Sequence, residues 1–432
     1  MKLNRILMAF VCFWTFGLFF SPILSGQSGE GSRDPELFDV RDFGAVGDGK
    51  TIDTEAIQKA IDACHAAGGG TVYLPKGVWV SGSLHLKSYI DFHLAPQAIL
   101  LGSSNPDDYD KPDFVPQNAA FSSDFVKGGH LINAIEQTKI RISGRGRIDG
   151  NGPFFLKDPE SDKLLPKQKI PWRPGQMIFF CESTDIVIEE VELYNSPYWN
   201  CFIHGCRNVR IDGVRIWCRS DTANGDGIDI DCSQNVMICH CNIESGDDCI
   251  TLRASDSLLK EKRFCENITV TNSILSSPHC GVRIGVGNGV IRNAVFSNLA
   301  IYNGRIGLNL FSSYTEGSPG VSIDNVRFDN IVMDVVQPIT MTLGYAAPET
   351  HIQNIYFNGL SGRFAGQSTI VGRPDNPLRH IVLSNLFFDY REGTVPLSEP
   401  LKIEFVEGLE TFNLHFPQQS NPNEKRGTES SP

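Results

Sequence analysis

"NVRIDGVRI" at Asn208–Ile216 and "NVMICHCNI" at Asn235–Ile243 share one outline: an asparagine, then alternating apolar and polar residues broken by a polar or glycine step. The outline recurs as "DIVIEEVEL" from Asp185, "NITVTNSIL" from Asn267 and "NAVFSNLAI" from Asn293. It continues as "NVRFDNIVM" from Asn325, "NIYFNGLSG" from Asn354 and "HIVLSNLFF" from His380. Successive openings lie 23 residues apart (185 to 208) to 32 apart (235 to 267). Alternation with period two selects strands, and the breaks come too often for helices. A repeat of this length with β-branched residues and polar turn markers signals a solenoid. The expected fold is all-β: a right-handed parallel β-helix. Its coils would stack about 4.8 Å apart, with apolar side chains inside and asparagine ladders at the turns. A β-propeller is the alternative, and its four-stranded blades need longer, more regular repeats.

A solenoid needs covered ends. "DTEAIQKAIDACHAAGGG" at Asp53–Gly70 reads as a helix, with Asp53 as N-cap, an apolar stripe of Ala56, Ile57, Ala60, Ile61 and Cys64, and Gly68 as its stop. The expected organisation is a signal peptide over 1–27, one β-helical domain over 35–416 with its N-terminal cap about 35–105, and a disordered tail over 417–432. Lys2 and Arg5 followed by "ILMAFVCFWTFGLFF" carry the export reading; an uncleaved anchor is the other. Export would place the mature chain outside the cell or in the periplasm, soluble and monomeric. The stretch 151–174, with "PWRPG" at Pro171–Gly175, interrupts the repeat as a loop beside a cleft, holding ligand or plain surface.

The 432 residues carry net charge −12, which argues against a nucleic-acid binder. Of twelve cysteines, Cys12 falls in the signal. The rest read mainly as small buried hydrophobes, with a Cys249–Cys265 disulfide as an option. "CHC" at Cys239–Cys241 suggests zinc, but on a strand His240 would face away from both thiols.

"ESGDDCITL" at Glu244–Leu252 pairs two acids, Asp247 and Asp248. Asp226, in "NGDG", lies 22 residues before Asp248, about one coil. The repeat phase stacks these positions on one wall, with Cys280, Arg305 and Tyr198 at similar angles. Three close carboxylates cannot all ionise easily, so one pKa rises. Such a set suits acid/base cleavage of a glycosidic bond. A calcium site of the polysaccharide-lyase kind and a plain acidic turn remain alternatives.

At these residues the sequence resembles glycoside hydrolase family 28, the polygalacturonase and rhamnogalacturonan hydrolase group, of bacterial type. "FDVRDFGAVGDGKTIDTEAIQKAIDAC" through "GGGTVYLPKGVWVSGSLHLKS" resembles its N-terminal region, and "NGDG" and the Asp247–Asp248 pair match its acidic motifs. The resemblance implies an inverting glycosidase with no cofactor or metal. Asp247 would be the general acid, and Asp226 and Asp248 would activate water. The implied partner is an α-linked, acidic plant-type pectic polysaccharide or oligosaccharide, galacturonan or rhamnogalacturonan. Two departures stand out. "HCGVRIG" at His279–Gly285 puts Cys280 where the motif histidine belongs, and "RIG" at Arg305–Gly307 keeps the arginine but replaces the lysine by Gly307. Expected substrate contacts are Arg283, Arg305, His279, Tyr198, Trp199 and Asn224, with His204 and Arg253 as further candidates. A silent carbohydrate-binding β-helix is the non-enzymatic alternative.

Overall fold

The computed structural model describes residues 36–110, 129–256, 259–314 and 316–417. The signal peptide and residues 418–432 of the tail lie outside them. The described chain is a right-handed parallel β-helix, every named strand pair being parallel.

Each coil contributes up to three strands. One row runs Ile132–Ile135, Ile178–Cys181, Cys201–His204, Ile228–Asp231, Ile250–Ala254 and Cys280–Gly287. A second runs Thr138–Gly144, Thr184–Glu189, Arg207–Asp212 and Gln234–Cys239 into Cys265–Ser276. Stacking is in register, so a core position repeats as a column: Ile186, Val209, Val236, Ile268, Ala294, Val326, Ile355 and Ile381. All eight are buried. Burying each large aliphatic is worth about 1.5–3 kcal/mol, so the column is a strong cohesive element. Phe296, Phe328 and Phe357 stack beside it at 5.1 and 5.0 Å between centroids.

The residue opening each repeat has positive φ, from 52° at Asn325 to 59° at Asn267 among the asparagines. Asparagine tolerates this left-handed turn because its side chain finds local hydrogen bonds. Asn235 Nδ2 donates to Asn208 Oδ1 (3.1 Å), Asn267 Nδ2 to Asn235 Oδ1 (3.1 Å) and Asn293 Nδ2 to Asn267 Oδ1 (3.3 Å). A parallel ladder joins Asn272, Asn298 and Asn330 one turn further on.

Three expectations change. The helix forms over Thr54–Ala66 and buries Ile57, Ala60, Ile61 and Cys64, but Asp53 does not cap it through its side chain. Its carboxylate instead accepts from Val46 N (2.7 Å) and Gly47 N (3.0 Å). Cys249 and Cys265 form no disulfide: the eleven cysteines among the described residues are free and buried. Cys249 Sγ bonds Ser276 O, and Cys265 Sγ bonds Ile230 O. His240 is not on a strand. It follows Gln234–Cys239 in a left-handed turn (φ 54°), which swings its ring beside Asp212 rather than away.

Because Asn267 both accepts and donates in the ladder, Asn267→Ala is expected to cost about 2 kcal/mol in urea unfolding. Asn267→Gly, which keeps the left-handed backbone, should cost about 1 kcal/mol. Equal losses would show that backbone conformation contributes nothing there.

Candidate active site

Four strands set the site. Cys201, Ile228, Ile250 and Val282 lie in one register column. Two residues before each come Trp199, Asp226, Asp248 and Cys280; three before come Tyr198, Gly225, Asp247 and His279. These turns are tied coil to coil. Asn200 N donates to Asp226 O, Gly227 N to Asp248 O and Cys249 N to Cys280 O, each at 2.9 Å. A side chain at Gly227 would stand 2.4 Å from Cys249 O, so only glycine lets Asp226 sit this close to the next coil. The Ser245 hydroxyl donates to the Asp247 carbonyl at 2.6 Å, and Ser277 donates to the same oxygen.

The three acids converge. Asp226, Asp247 and Asp248 each present an oxygen within 4.8 Å of the others. Asp226 and Asp248 are buried, whereas the Asp247 side chain keeps a quarter of its surface open. Arg283 Nη1 donates to Asp248 Oδ2 at 2.9 Å, and its guanidinium lies over the Tyr314 ring at 4.6 Å. His279 Nδ1 is 3.8 Å from Asp247 Oδ1. Burial, then the neighbouring Asp248, pushes the Asp247 carboxyl above its ordinary value; His279 and Arg283 pull it back. Burial pushes Asp226 well above the usual range, reinforced by Asp229, Asp247 and Asp248. The cluster therefore holds protons at a pH where isolated carboxylates have lost them.

The geometry re-sorts the expected contacts. Register places His279, not Cys280, over Asp247, because His279 lies in the turn ahead of the strand Cys280–Gly287, where strict alternation does not apply. Cys280 is buried beside Asp248, its thiol taking a bond from Asn309 Nδ2 at 3.6 Å. Tyr198 and Trp199 offer no open face to a sugar. They are 0% and 3% exposed, stack on each other at 4.9 Å, and are covered by Arg173 and Arg253 at 4.4 and 4.5 Å. Asn224 is turned toward Arg173, whose Nη2 donates to Asn224 Oδ1 at 3.2 Å. Arg173, from "PWRPG", is buried and also donates to Pro197 O and Ala223 O. That segment is thus a clamp under the site rather than a surface loop. Arg305 is exposed and lines a groove of about 800 Å³ with Pro278, Asp334, Arg363 and Arg391. At Gly307 a side chain would meet Met333 Sδ at 2.5 Å, so the backbone here has no room for a lysine. A second groove, about 630 Å³, runs past Arg219, Asp221, Glu244 and Ser277 to Pro278.

Two acids escaped sequence reasoning. Asp229 and Asp231 alternate with Ile228 and Ile230, so they face outward, yet both are fully buried. Arg253 lies 3.7 Å from each, and His204 Nδ1 is 3.6 Å from Asp231 Oδ2. Burial lifts Asp229 to about 8 and holds the His204 imidazole below its ordinary value. The only available signal was the alternation "IDID" directly after "NGDG". It marks the outward face but not the cover over it.

The family model "Glycosyl hydrolases family 28" matches residues 116–370, more than half of the chain, including Asp226, Asp247, Asp248, His279 and Arg283. The chain belongs to glycosyl hydrolase family 28. In this family 28 chain a second model, "Rhamnogalacturonase A/epimerase, pectate lyase-like", matches residues 37–140. The chain is 28% identical to an exo-poly-alpha-D-galacturonosidase of Dickeya chrysanthemi over 72% of its length and 58% of the relative's. It is 34% identical to a probable polygalacturonase of Vitis vinifera over 49% of its length and 43% of the relative's. It therefore spans about half the length of these two relatives. Among solved structures, a Yersinia enterocolitica family 28 exopolygalacturonase superposes with TM-score 0.69 at 24% identity, covering 90% of this chain and 77% of that one. A polygalacturonase from Erwinia carotovora superposes with TM-score 0.67 at 22% identity, covering 85% and 98%. These two share the fold.

Asp229 makes a pH prediction. Its folded pKa is raised from 3.8 to about 8, so the native state binds the extra proton and loses stability as pH rises between those values. Asp229→Asn should flatten that slope and melt above the parent at pH 8. A parallel slope in the variant would assign the proton to another group.

Proposed function

We propose that this chain is an exported glycosidase that hydrolyses α-linked pectic polysaccharide or oligosaccharide of galacturonan or rhamnogalacturonan type, by an inverting acid/base mechanism. The observation that carries the reading is the unequal carboxylate trio: Asp247 open and raised, Asp248 buried on Arg283, and Asp226 buried on the preceding coil. The family membership, the printed names of the relatives and the N-terminal export pattern support it.

Asp247 is the member that a substrate reaches, and its proton goes to the glycosidic oxygen as the C1–O bond breaks. Asp248, paired with Arg283, takes up the proton of the water that attacks C1, and Asp226 helps to hold that water. The remaining negative charge faces the oxocarbenium-like centre and stabilises it. The oxygens lie closer than the 6.5–9.5 Å usual for inverting pairs. Inversion therefore rests on two carboxylates sharing one water position, not on separation. With no lysine beside Arg305, recognition of uronate carboxylates falls to Arg305, and His279 stands at Asp247.

Asp247→Asn should lower kcat on galacturonan by about a hundred- to ten-thousand-fold while retaining substrate binding. Reducing-end release measures the first and isothermal titration the second. A wild type that binds without releasing sugar would be a binding protein. Ultraviolet-absorbing, unsaturated products lost on chelation would make it a lyase. Early proton NMR spectra should show the β-anomer as first product; an α-anomer would exclude inversion.

Activity should also fall as pH rises through the raised Asp247 pKa, because the acid must carry its proton. Removing His279, which lowers that pKa, shifts the alkaline limb of His279→Ala upward. A limb unchanged in position would place the working proton elsewhere.

A further inference from the structure

We propose that Asp212, Cys239 and His240 form a binding site for a divalent d-block cation of the zinc class, on a coil turn separate from the carboxylate trio. The three side chains present an oxygen, a sulfur and a nitrogen within 4.8 Å of one another. His240 Nδ1 already lies 2.9 Å from Asp212 Oδ1, and the Cys239 thiol sits within 4.8 Å of both groups.

The turn row makes this coil an exception. At the left-handed turn position the neighbouring coils carry Gly213, Asn272, Asn298 and Asn330. This coil alone among those puts a histidine there, preceded by cysteine where the others have Asp212, Thr271, Ser297 and Asp329. Cysteine and histidine thus arrive together against an aspartate from the coil below. Cysteine sulfur, histidine nitrogen and a carboxylate are the donors zinc takes, with a fourth position left for water. Bond lengths of about 2.0–2.3 Å around a tetrahedral ion put donors about 3.3–3.7 Å apart, a movement of at most about 1.5 Å from the present spacing. The histidine side of the site is open, its side chain 61% exposed, so water can complete the shell.

The surrounding charge suits a cation. Arg210 Nη1 bonds Asp212 Oδ2 at 2.8 Å, leaving Oδ1 for the ion, and its Nη2 pairs with Glu189. Arg141 pairs with Glu189 and Asp91. Two arginines against three carboxylates leave one negative charge. Binding releases the thiol proton and adds a second, which a dication then neutralises. The imidazole proton moves from Nδ1 to Nε2, on the solvent-exposed side of the ring, where water can accept it. The bound ion would staple adjacent coils.

The full chain, stripped with chelator, is titrated with cobalt(II). The expected result is a near-ultraviolet thiolate-to-cobalt charge-transfer band saturating at one ion per chain. Cys239→Ser should abolish it, and His240→Asn, which installs the ladder residue, should weaken binding at least about tenfold. Zinc should raise the melting temperature of the parent but not of His240→Asn, and both variants should keep the parent's glycan hydrolysis. Absence of the band in the parent, or its survival in Cys239→Ser, overturns the proposal; so does undiminished affinity in His240→Asn. Cobalt held only by the oxygens of Asp226, Asp247 and Asp248 gives no thiolate band and counts against it.

Discussion

In-register parallel stacking is the constraint on which everything else depends. Each residue lies over its counterpart in the next coil, about 4.8 Å away. Like residues therefore meet like. Aliphatics meet as the column from Ile186 to Ile381, asparagines as hydrogen-bonded ladders, and phenylalanines as stacked rings. What stabilises an apolar column penalises a charged one, because stacked carboxylates repel at the same short distance.

The site exploits that penalty. Asp226 and Asp248 are neighbours by register, and Asp229 and Asp231 extend the acidic patch along one strand. Two arginines from the following coils make it tolerable: Arg253 between Asp229 and Asp231, and Arg283 on Asp248. Protonation relieves the rest, which is why burial and mutual repulsion raise Asp226, Asp229 and Asp247 together. A fold that forces acids into columns thereby generates a carboxylic acid near neutrality without special chemistry. The same logic applies on another turn row, where a histidine in an asparagine ladder meets an aspartate and a thiol.

Much of this was legible beforehand for a physical reason. A solenoid converts sequence period directly into spatial adjacency, so Asp226 could be placed beside Asp248 by counting 22 residues. Period no longer fixes adjacency where the chain leaves its strands. Cys280 was matched to Asp247 by counting, but the turn puts His279 there. Strand alternation turned His240 away from the thiols, but it sits in a left-handed turn beside Cys239. Exposure was equally invisible: Tyr198 and Trp199 have the chemistry of sugar platforms, yet arginines from distant segments cover both.

The sequence by itself determined the coil: alternation specified strands, asparagine specified the left-handed turns, and the repeat specified which acids share a wall. These are local preferences multiplied by a period. Only the tertiary structure decided the environment of each acid. Arg173, some 50 residues before Asn224, locks the turn beneath Asp226; Arg283, 35 residues after Asp248, holds that carboxylate; and the cover over Asp229 makes an outward-facing residue a buried one. Solvation and counterions depend on what packs against a group from elsewhere in the chain, and no local pattern encodes that.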